Sequence, residues 1–313
     1  MRTCIRKKSI ESLASRFYRL LLLWLLVCSQ LLAQRTQFVV LVVVDGTRYT
    51  ETFGDSTHAN IPIIWNRMRP LGTIYTSFWN DGSTMTNSGH ASILSGTREA
   101  LKNNGTELPH SPSVFEYFRK ETGASVKQCW VVLGKSKLQM LAFSTHKEYG
   151  SHYGASVKKS SSEYDNLIAL ENAASVLVNY HPKLTIVNVP AADSLAHDGF
   201  LDKYVGAIRQ ADTVVASIWN VIQADSLLRD KTTMIVTNDH GRHTTDYTNH
   251  GDQCEGCRHL MLLVVGPDTP AGVIDSSTRK QVDIAPTVGR LLGFSTPYSL
   301  GTVLESAIIK NQR

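Results

Sequence analysis

Runs of apolar and β-branched residues recur along this chain and alternate with segments of helical periodicity. Residues 37–45 read QFVVLVVVD, a length and composition typical of a strand that is buried on both faces of a parallel sheet. Four similar runs follow, at residues 129–135, 183–190, 232–239 and 259–267. Helical apolar spacing occupies residues 113–123, 201–225 and 283–293. The alternation predicts an α/β fold, a three-layer α/β/α sandwich around a mostly parallel central sheet.

The amino terminus has the pattern of an export signal. Six Lys and Arg residues precede an apolar run at residues 20–27, and Ala33 offers a small residue for cleavage. The run is shorter than the roughly 20 residues that a membrane-spanning helix needs. We therefore expect residues 1–33 to be a signal peptide and residues 34–313 to be one exported domain, periplasmic or extracellular, with no membrane span after the leader is removed. An uncleaved anchor and lipidation at Cys28 are the alternatives.

The net charge excludes one class of partner. The chain has a formal charge of +5, but residues 1–33 contain six basic residues and one acidic residue, so the remainder is neutral. A neutral domain lacks the positive field that attracts nucleic acid. We therefore expect a small-molecule substrate and no nucleic-acid partner, whereas the oligomeric state does not follow from the sequence.

Residues 254–257, CEGC, bring two cysteines close together. In an oxidising compartment such a pair can close a small disulfide loop, and it can equally serve as a soft metal-binding pair. No second CxxC completes a zinc knuckle. We therefore expect a disulfide or structural thiols at Cys254 and Cys257, rather than a metal site.

Aspartate and histidine residues stand in short polar turns near the ends of the predicted strands. The motifs are VVVDGT, TNSGH, ADSLAH, TNDHGRH and NHG. Apart from the histidines of TNSGH and GRH, they supply Asp45, Asp193, His197, Asp239, His240 and His250. Parallel strands collect ligands at the edge where their carboxyl ends meet, and carboxylate and imidazole groups bind divalent metals. Six such residues suffice for two metal sites of three ligands each.

The spacing within two motifs constrains this prediction further. Asp193 and His197 are four residues apart, which on one turn of a helix places both side chains on the same face, toward one ion. Asp239 and His240 are adjacent at a strand end, so their side chains diverge and suit a binuclear centre better than a single ion.

The order of the motifs resembles the alkaline phosphatase superfamily. Its landmarks are an Asp after the first strand, a Ser or Thr before a GH turn, DxxxH, DHG and a later HG, and the tail QVDIAPTVGRLLG is similar to its closing helix. The resemblance spans residues 38–305 and implies an alkaline-phosphatase-like catalytic domain. It implies one metal bound by Asp193, His197 and His250, and a second bound by Asp45, Asp239 and His240. The family spacing favours His250 over His243 as the last ligand.

The resemblance also implies a nucleophile. Thr86 matches the nucleophile position of the phosphatase and phosphodiesterase branches that use threonine, and Ser88 and Thr84 are the competing hydroxyls. The stretch TMTNSGHAS lacks the Pro and Arg of a sulfatase motif, which disfavours sulfate esters as substrates.

Two residues are candidates for binding the substrate. Asn87 can donate a hydrogen bond to a phosphoryl oxygen. Lys137, in the GKSKLQM stretch after the second predicted strand, offers a positive charge to a phosphate, and Lys135 is a second lysine in the same stretch.

These features together predict an exported, metal-dependent phosphoester hydrolase, a phosphatase or phosphodiesterase, that forms a covalent phosphothreonine at a binuclear centre. Half of the expected ligands are imidazoles, which favours two zinc ions, with manganese as the alternative. A phosphotransferase or mutase of the same superfamily and an inactive metal-binding relative are the competing hypotheses.

Overall fold

Nine strands form one sheet within residues 35–309, the part of the chain that the computed structural model describes. Their bounds are β1 (Phe38–Val44), β2 (Gly72–Trp79), β3 (Cys129–Val132), β4 (Ser156–Lys158), β5 (Leu184–Val189), β6 (Thr232–Thr237), β7 (His259–Val265), β8 (Val273–Asp275) and β9 (Arg279–Lys280). The order across the sheet is β4-β3-β5-β1-β6-β7-β2-β8, and β9 pairs with β2. The pairings of β7 with β6 and β2 are antiparallel and the others are parallel. The predicted mostly parallel sheet is confirmed.

Helices cover both faces of the sheet. The α-helices of the described residues are α1 (Thr86–Ser95), α2 (Val114–Thr122), α3 (Asn166–Tyr180), α4 (Ala191–His197), α5 (Leu201–Ala224), α6 (Glu255–Arg258) and α7 (Ile284–Leu292). One hydrophobic core contains residues of α3 and α5, and the other contains residues of α1, α2 and α7. The predicted three-layer α/β/α architecture is therefore confirmed.

β1 shows why the sheet needs a layer on each side. All seven of its residues are buried. Val40 and Val42 belong to the core beneath α3 and α5, whereas Val39 and Leu41 belong to the core beneath α1, α2 and α7. Successive side chains of a strand point to opposite faces, so a strand without a polar position must be covered twice.

Four strands do not appear among the apolar runs of the sequence, namely β2, β4, β8 and β9. β2 reads GTIYTSFW, in which polar and small residues interrupt the apolar pattern. β4 lies within residues 143–166, whose polar composition predicts a loop, and its three residues are only partly buried. Short strands near a sheet edge carry little of the apolar pattern that marks a buried strand.

The reversed direction of β7 determines where the functional motifs meet. β1, β5 and β6 are parallel, so their carboxyl ends lie at one edge of the sheet. Because β7 runs antiparallel to β6, its amino end lies at that same edge. Residues 238–258, the segment that joins β6 to β7, therefore start and finish at the edge where Asp45 follows β1.

The described residues 36–309 form one compact unit. The predicted signal peptide, residues 1–33, lies outside the described residues. Among the helices that the structure describes, none is both long enough and apolar enough to cross a membrane.

Candidate metal centre

The six residues predicted to be ligands lie together at the carboxyl edge of the sheet, in two groups. The inner group consists of Asp45, Asp239 and His240, and the outer group of Asp193, His197 and His250. Within each group, one ligand atom from every residue lies within 4.8 Å of the others. The structure thus brings the residues together in the same two sets that the resemblance to the alkaline phosphatase superfamily implies.

The inner group contains two buried carboxylate oxygens that accept no hydrogen bond from the described residues. Asp45 follows β1, Asp239 and His240 follow the neighbouring β6, and all three residues are fully buried. The Nε2 atom of His240 lies 3.7 Å from Oδ1 of Asp45 and 3.3 Å from Oδ2 of Asp239. Neither of these oxygens has a hydrogen-bond partner among the described residues. Because a buried charged oxygen is costly without a partner, the group is suited to a cation.

The tautomer of His240 supports the same conclusion. Its Nδ1 lies 2.8 Å from the carbonyl oxygen of Gly241, which can only accept, so Nδ1 carries the proton. Nε2 therefore presents its lone pair to the two carboxylates. Burial lowers the pKa of His240 to about 3, so the ring is neutral at physiological pH. A neutral imidazole oriented by a carbonyl beside two carboxylates is a donor set that fits a divalent metal.

The outer group is more open. Asp193 and His197 lie on one turn of α4, as their spacing predicts, and Nε2 of His197 lies 3.5 Å from Oδ1 of Asp193. His250 belongs to the segment between β6 and β7, and its Nε2 lies 3.2 Å from that of His197. Its Nδ1 bonds to the Thr84 carbonyl oxygen at 2.8 Å, and burial lowers the pKa of His250 to about 4. The side chain of His197 is 43% exposed, so this group faces solvent.

A buried lysine links the two groups. Nζ of Lys135 lies 3.1 Å from Oδ2 of Asp45 and also pairs with Asp193. Burial alone would lower the pKa of Lys135, but the carboxylates of Asp193 and Asp45 raise it above its ordinary value. Lys137 is only partly buried, and burial, together with the charge of Lys135, lowers its pKa. The structure therefore places Lys135 against the donor carboxylates. The predicted contact between Lys137 and a substrate phosphate stays a prediction.

Arg242 is a second buried cation, to which the sequence analysis assigns no role. Its guanidinium donates to the carboxylate and, at 2.7 Å, to the carbonyl oxygen of Asp193. Its Nε donates to the carbonyl oxygen of Gly46 at 3.1 Å. The signal in the sequence is the arginine of DHGRH, two residues after His240.

Gly46 allows the end of β1 to approach α4. Its φ angle is +67°, and a Cβ atom at this position would lie 2.5 Å from Oδ1 of Asp193. Its amide donates to Oδ1 of Asp239 at 3.1 Å. A larger residue would be strained and would separate the inner group from the outer group.

The predicted nucleophile lies beside the inner group. Thr86 is the first residue of α1, is fully buried, and has its Oγ1 3.3 Å from Nε2 of His240. The amide dipoles at a helix amino terminus favour negative charge there. The competing hydroxyls are engaged elsewhere, since Thr84 donates to the Asp252 carbonyl at 2.7 Å and Ser88 accepts from the Leu101 amide at 2.9 Å.

Asn87 is engaged by the protein in this structure. Its Nδ2 donates to the carbonyl oxygen of Lys102 at 2.9 Å, and its backbone amide donates to Oδ1 of Asn103 at 3.0 Å. Its buried Oδ1 has no hydrogen-bond partner among the described residues. The predicted contact between Asn87 and a phosphoryl oxygen stays a prediction.

His90 and Asn188 orient the inner group and are further residues without an assigned role in the sequence analysis. Nδ1 of His90 lies 2.9 Å from the Thr86 carbonyl oxygen and 3.2 Å from Oδ2 of Asp239. Nδ2 of Asn188 donates to Oδ2 of Asp45 at 2.9 Å and lies 3.0 Å from Nε2 of His90. An asparagine within the apolar run of β5 is the signal that marks such a position.

Solved structures share this fold. A 2-O GAG sulfatase aligns with a TM-score of 0.69 at 14% identity, covering 89% of this chain and 76% of its own. A protein in the alkaline phosphatase superfamily from Vibrio parahaemolyticus aligns with a TM-score of 0.66 at 12% identity, covering 88% and 71%. Phosphonate monoester hydrolase from Silicibacter pomeroyi aligns with a TM-score of 0.62 at 13% identity, covering 89% and 78%. These likenesses confirm the predicted alkaline-phosphatase-like fold.

Sequence comparisons agree with the structural ones. The 2,3-bisphosphoglycerate-independent phosphoglycerate mutase of Gracilaria tenuistipitata var. liui is 24% identical over 135 residues, which is 42% of this chain but only 26% of the mutase. The family model of the Metalloenzyme superfamily matches residues 87–295, about two thirds of the chain. The match includes five of the six predicted ligands and begins after Asp45 and Thr86. The chain therefore belongs to the Metalloenzyme superfamily, as its resemblance to the alkaline phosphatase superfamily predicts.

Proposed function

We propose that this protein is a metal-dependent phosphoester hydrolase in which Thr86 attacks phosphorus. The observation that carries the proposal is the position of the Thr86 hydroxyl, buried at the amino end of α1 and 3.3 Å from His240 in the inner group. A threonine hydroxyl is a weak nucleophile at neutral pH, so it needs an activating environment. The inner group provides ligands for a metal ion that would activate this hydroxyl.

Each donor group is suited to one divalent ion. Three of the six ligands are imidazoles, and both His240 and His250 direct an unprotonated Nε2 toward a carboxylate, which favours zinc with manganese as the alternative. When bound, such ions lower the pKa of a coordinated hydroxyl and neutralise charge on phosphoryl oxygens.

The charge balance of the site matches a phosphoryl group. Three carboxylates face two buried cations, Lys135 and Arg242, which leaves a net charge of minus one. Two divalent ions would convert this to plus three. A dianionic phosphate monoester would then be attracted strongly, and a monoanionic diester less strongly.

The proposed reaction has two steps. The oxygen of Thr86 bonds to phosphorus while the bond between phosphorus and the leaving oxygen breaks, and the proton of the Thr86 hydroxyl ends on the leaving alcohol. Water then attacks the phosphothreonine and returns one proton to the oxygen of Thr86. This step releases phosphate from a monoester substrate, or a phosphate monoester from a diester substrate. Lys135 and the helix amino terminus stabilise the charge on the phosphoryl oxygens, and two successive displacements give net retention at phosphorus.

Turnover of chromogenic esters tests this proposal. We expect hydrolysis of a p-nitrophenyl phosphate monoester or diester, and little hydrolysis of p-nitrophenyl sulfate. Thr86→Ala should keep its metals yet lose activity by about 10⁴-fold, and Thr86→Ser should retain part of it, because the hydroxyl is the reacting group. Thr213→Ala, an exposed threonine on α5, is the matched control. Near wild-type turnover by metal-loaded Thr86→Ala would remove Thr86 from the mechanism.

Phosphoryl transfer to an alcohol is a second candidate function. The match to a phosphoglycerate mutase supports it, because a phosphothreonine can be attacked by a hydroxyl instead of by water. The partition between free phosphate and a phosphorylated alcohol, measured with glycerol present, distinguishes a transferase from a hydrolase. No turnover of any ester by metal-loaded protein would favour the inactive metal-binding alternative.

Export of the protein is a separate proposal that the leader sequence supports. The basic and apolar order of residues 2–27 is the pattern of a signal peptide. Sequencing the amino terminus of natively produced protein should give a start close to Gln34. A full-length cytosolic product would contradict export.

A further inference from the structure

A third cluster of metal-binding side chains lies outside the two donor groups. It consists of His243, Asp252, Cys254 and Cys257, which we call the cysteine cluster, and its ligand atoms all lie within 4.8 Å of one another. All four residues belong to the segment that joins β6 to β7. Cys254 and Cys257 are free in the structure, so of the two alternatives expected for the CEGC motif, a disulfide or structural thiols, it contains the thiols.

Three distances within the cluster are close to those of a tetrahedral zinc site. Nδ1 of His243 lies 3.4 Å from Sγ of Cys257, 3.8 Å from Sγ of Cys254 and 3.0 Å from Oδ2 of Asp252. A tetrahedral zinc ion with bonds of about 2.0 to 2.3 Å separates its ligand atoms by about 3.3 to 3.8 Å. The four side chains therefore need only small shifts to surround one ion.

Three ligand atoms surround Nδ1 of His243, which can donate one proton or accept one hydrogen bond. Two thiols, an imidazole and a carboxylate form a closed set of four protein ligands, which is characteristic of structural rather than catalytic zinc.

We propose that the cysteine cluster binds a structural zinc ion that is distinct from the two ions of the proposed catalytic centre. Binding displaces one proton from each of the two thiols, while the imidazole binds in its neutral form and the carboxylate as the anion. The bound state therefore carries one net negative charge and requires no oxidant or reductant.

The position of the cluster explains what such an ion would do. The Gly241 amide, next to His240, donates to the carbonyl oxygen of Cys257 at 2.8 Å. The Gly256 amide donates to Oγ1 of Thr244 at 3.1 Å, and the backbone of Gly256 packs so closely on that of Gly241 that no side chain fits between them. An ion at the cluster would thus hold together both ends of the segment that contains His240 and His250.

The cluster also reaches the strand-to-helix turn that precedes the nucleophile. The carbonyl oxygen of Asp252 accepts from the Thr84 hydroxyl at 2.7 Å, and the Thr84 carbonyl oxygen is bonded to Nδ1 of His250. Through Thr84, Asp252 is therefore linked both to His250 and to the turn that leads to Thr86. Loss of the ion should loosen these contacts without removing a catalytic ligand.

Metal analysis of a double variant tests the proposal. The variant Cys254→Ser/Cys257→Ser should contain one zinc equivalent less than the wild-type protein, whatever number the catalytic centre holds. Cys129→Ser, which alters a free buried cysteine on β3, is the matched control and should lose none. Equal zinc content in the double variant and the wild-type protein would overturn the proposal.

A second measurement does not require the Cys254→Ser/Cys257→Ser variant to fold. Wild-type protein reconstituted with cobalt should show the near-ultraviolet charge-transfer absorption of thiolate-bound cobalt, and Asp239→Asn should show it too. Absence of that absorption, or an intact mass lower by two hydrogens because the two sulfurs are bonded, would contradict a zinc site. Asp239→Asn alters only the proposed catalytic centre. The cobalt absorption therefore tests the structural zinc site separately from the proposed hydrolase activity.

Discussion

The inner and outer donor groups contain similar side chains but differ in their surroundings. Asp45, Asp239 and His240 are fully buried and follow the central strands β1 and β6. Asp193 is buried as well, but His197 lies at the end of the short helix α4 with 43% of its side chain exposed. The inner group thus follows two fully buried central strands, whereas the outer group lies on a short helix and a loop.

This difference assigns different tasks to the two groups. A buried set of donors whose carboxylate oxygens are not all hydrogen-bonded is held for an ion before the ion arrives, and it lies beside Thr86. An open group can admit water, substrate and a more exchangeable ion. We therefore expect damage to the inner group to abolish the reaction, and damage to the outer group to weaken it.

The largest expected effect is at the inner group. Asp239→Asn removes a charge from the ligand set, and we expect activity to fall by about 10⁴-fold, the scale on which removing one member of a catalytic unit acts. Asp202→Asn, an exposed aspartate on α5, is the control. Steady-state rates at saturating zinc would contradict the assignment if Asp239→Asn retained more than a tenth of wild-type activity.

The next effect concerns the lysine between the groups. Lys135→Met leaves the carboxylates of Asp45 and Asp193 without their shared cation, so metal-free protein should lose about 3–5 kcal/mol in its free energy of unfolding. Metal-loaded protein should lose much less, because the bound ions compensate both carboxylates. Chemical denaturation with and without a chelator checks this, with Lys137→Met as the matched control, and equal losses in both states would contradict it.

A smaller effect is expected at the outer group. His197→Ala removes a proposed ligand, so it should weaken the binding of one ion by at least the roughly 10- to 100-fold loss that follows when a partner of a ligand is altered. Activity should recover when zinc is raised, which it should not do in Asp239→Asn. An exposed histidine such as His110, changed to Ala, serves as the control. Failure of zinc to restore His197→Ala would remove the distinction between the groups.

The smallest expected effect is a pH dependence of stability, to which one histidine of each group contributes. His240 and His250 have folded-state pKa values of about 3 and about 4, below the ordinary value for histidine, because burial disfavours their charged forms. At these two residues the unfolded chain therefore binds more protons below about pH 6.5, and together they should lower the stability of metal-free protein by roughly 1–2 kcal/mol between pH 7.5 and 6. Denaturation midpoints of His240→Gln and His250→Gln should each show about half of this pH dependence, and an unchanged dependence in both would refute its origin.

The sequence predicts those parts of the molecule whose cause is local. β1 is a run of buried β-branched residues, and Asp193 and His197 share a helical face because they are four residues apart. The edge strands β4, β8 and β9 are defined by pairing with distant strands, which leaves no pattern in their own residues. Sequence could therefore predict the layered fold but not its full set of strands.

The same distinction applies to the site. The six predicted ligands are recognisable because they stand in short motifs that follow apolar runs. The contact of Lys135 with the donor carboxylates depends on where the chain turns after β3, and the contacts of Arg242 depend on α4 lying against the end of β1. The cysteine cluster likewise arises because β7 reverses direction, which folds residues 243–257 back on themselves. Such contacts depend on how the fold brings distant residues together or orients neighbouring ones, so the sequence alone does not predict them.

Anomalous diffraction at the zinc edge, from crystals of the Cys254→Ser/Cys257→Ser variant grown with zinc, tests the central claim most directly. The variant lacks the proposed structural ion, so every remaining peak belongs to the two donor groups. We predict two peaks, each about 2.0 to 2.2 Å from the imidazole and carboxylate ligands of one group. A single peak at the inner group, with the Lys135 ammonium still paired to both Asp45 and Asp193, would contradict a binuclear centre.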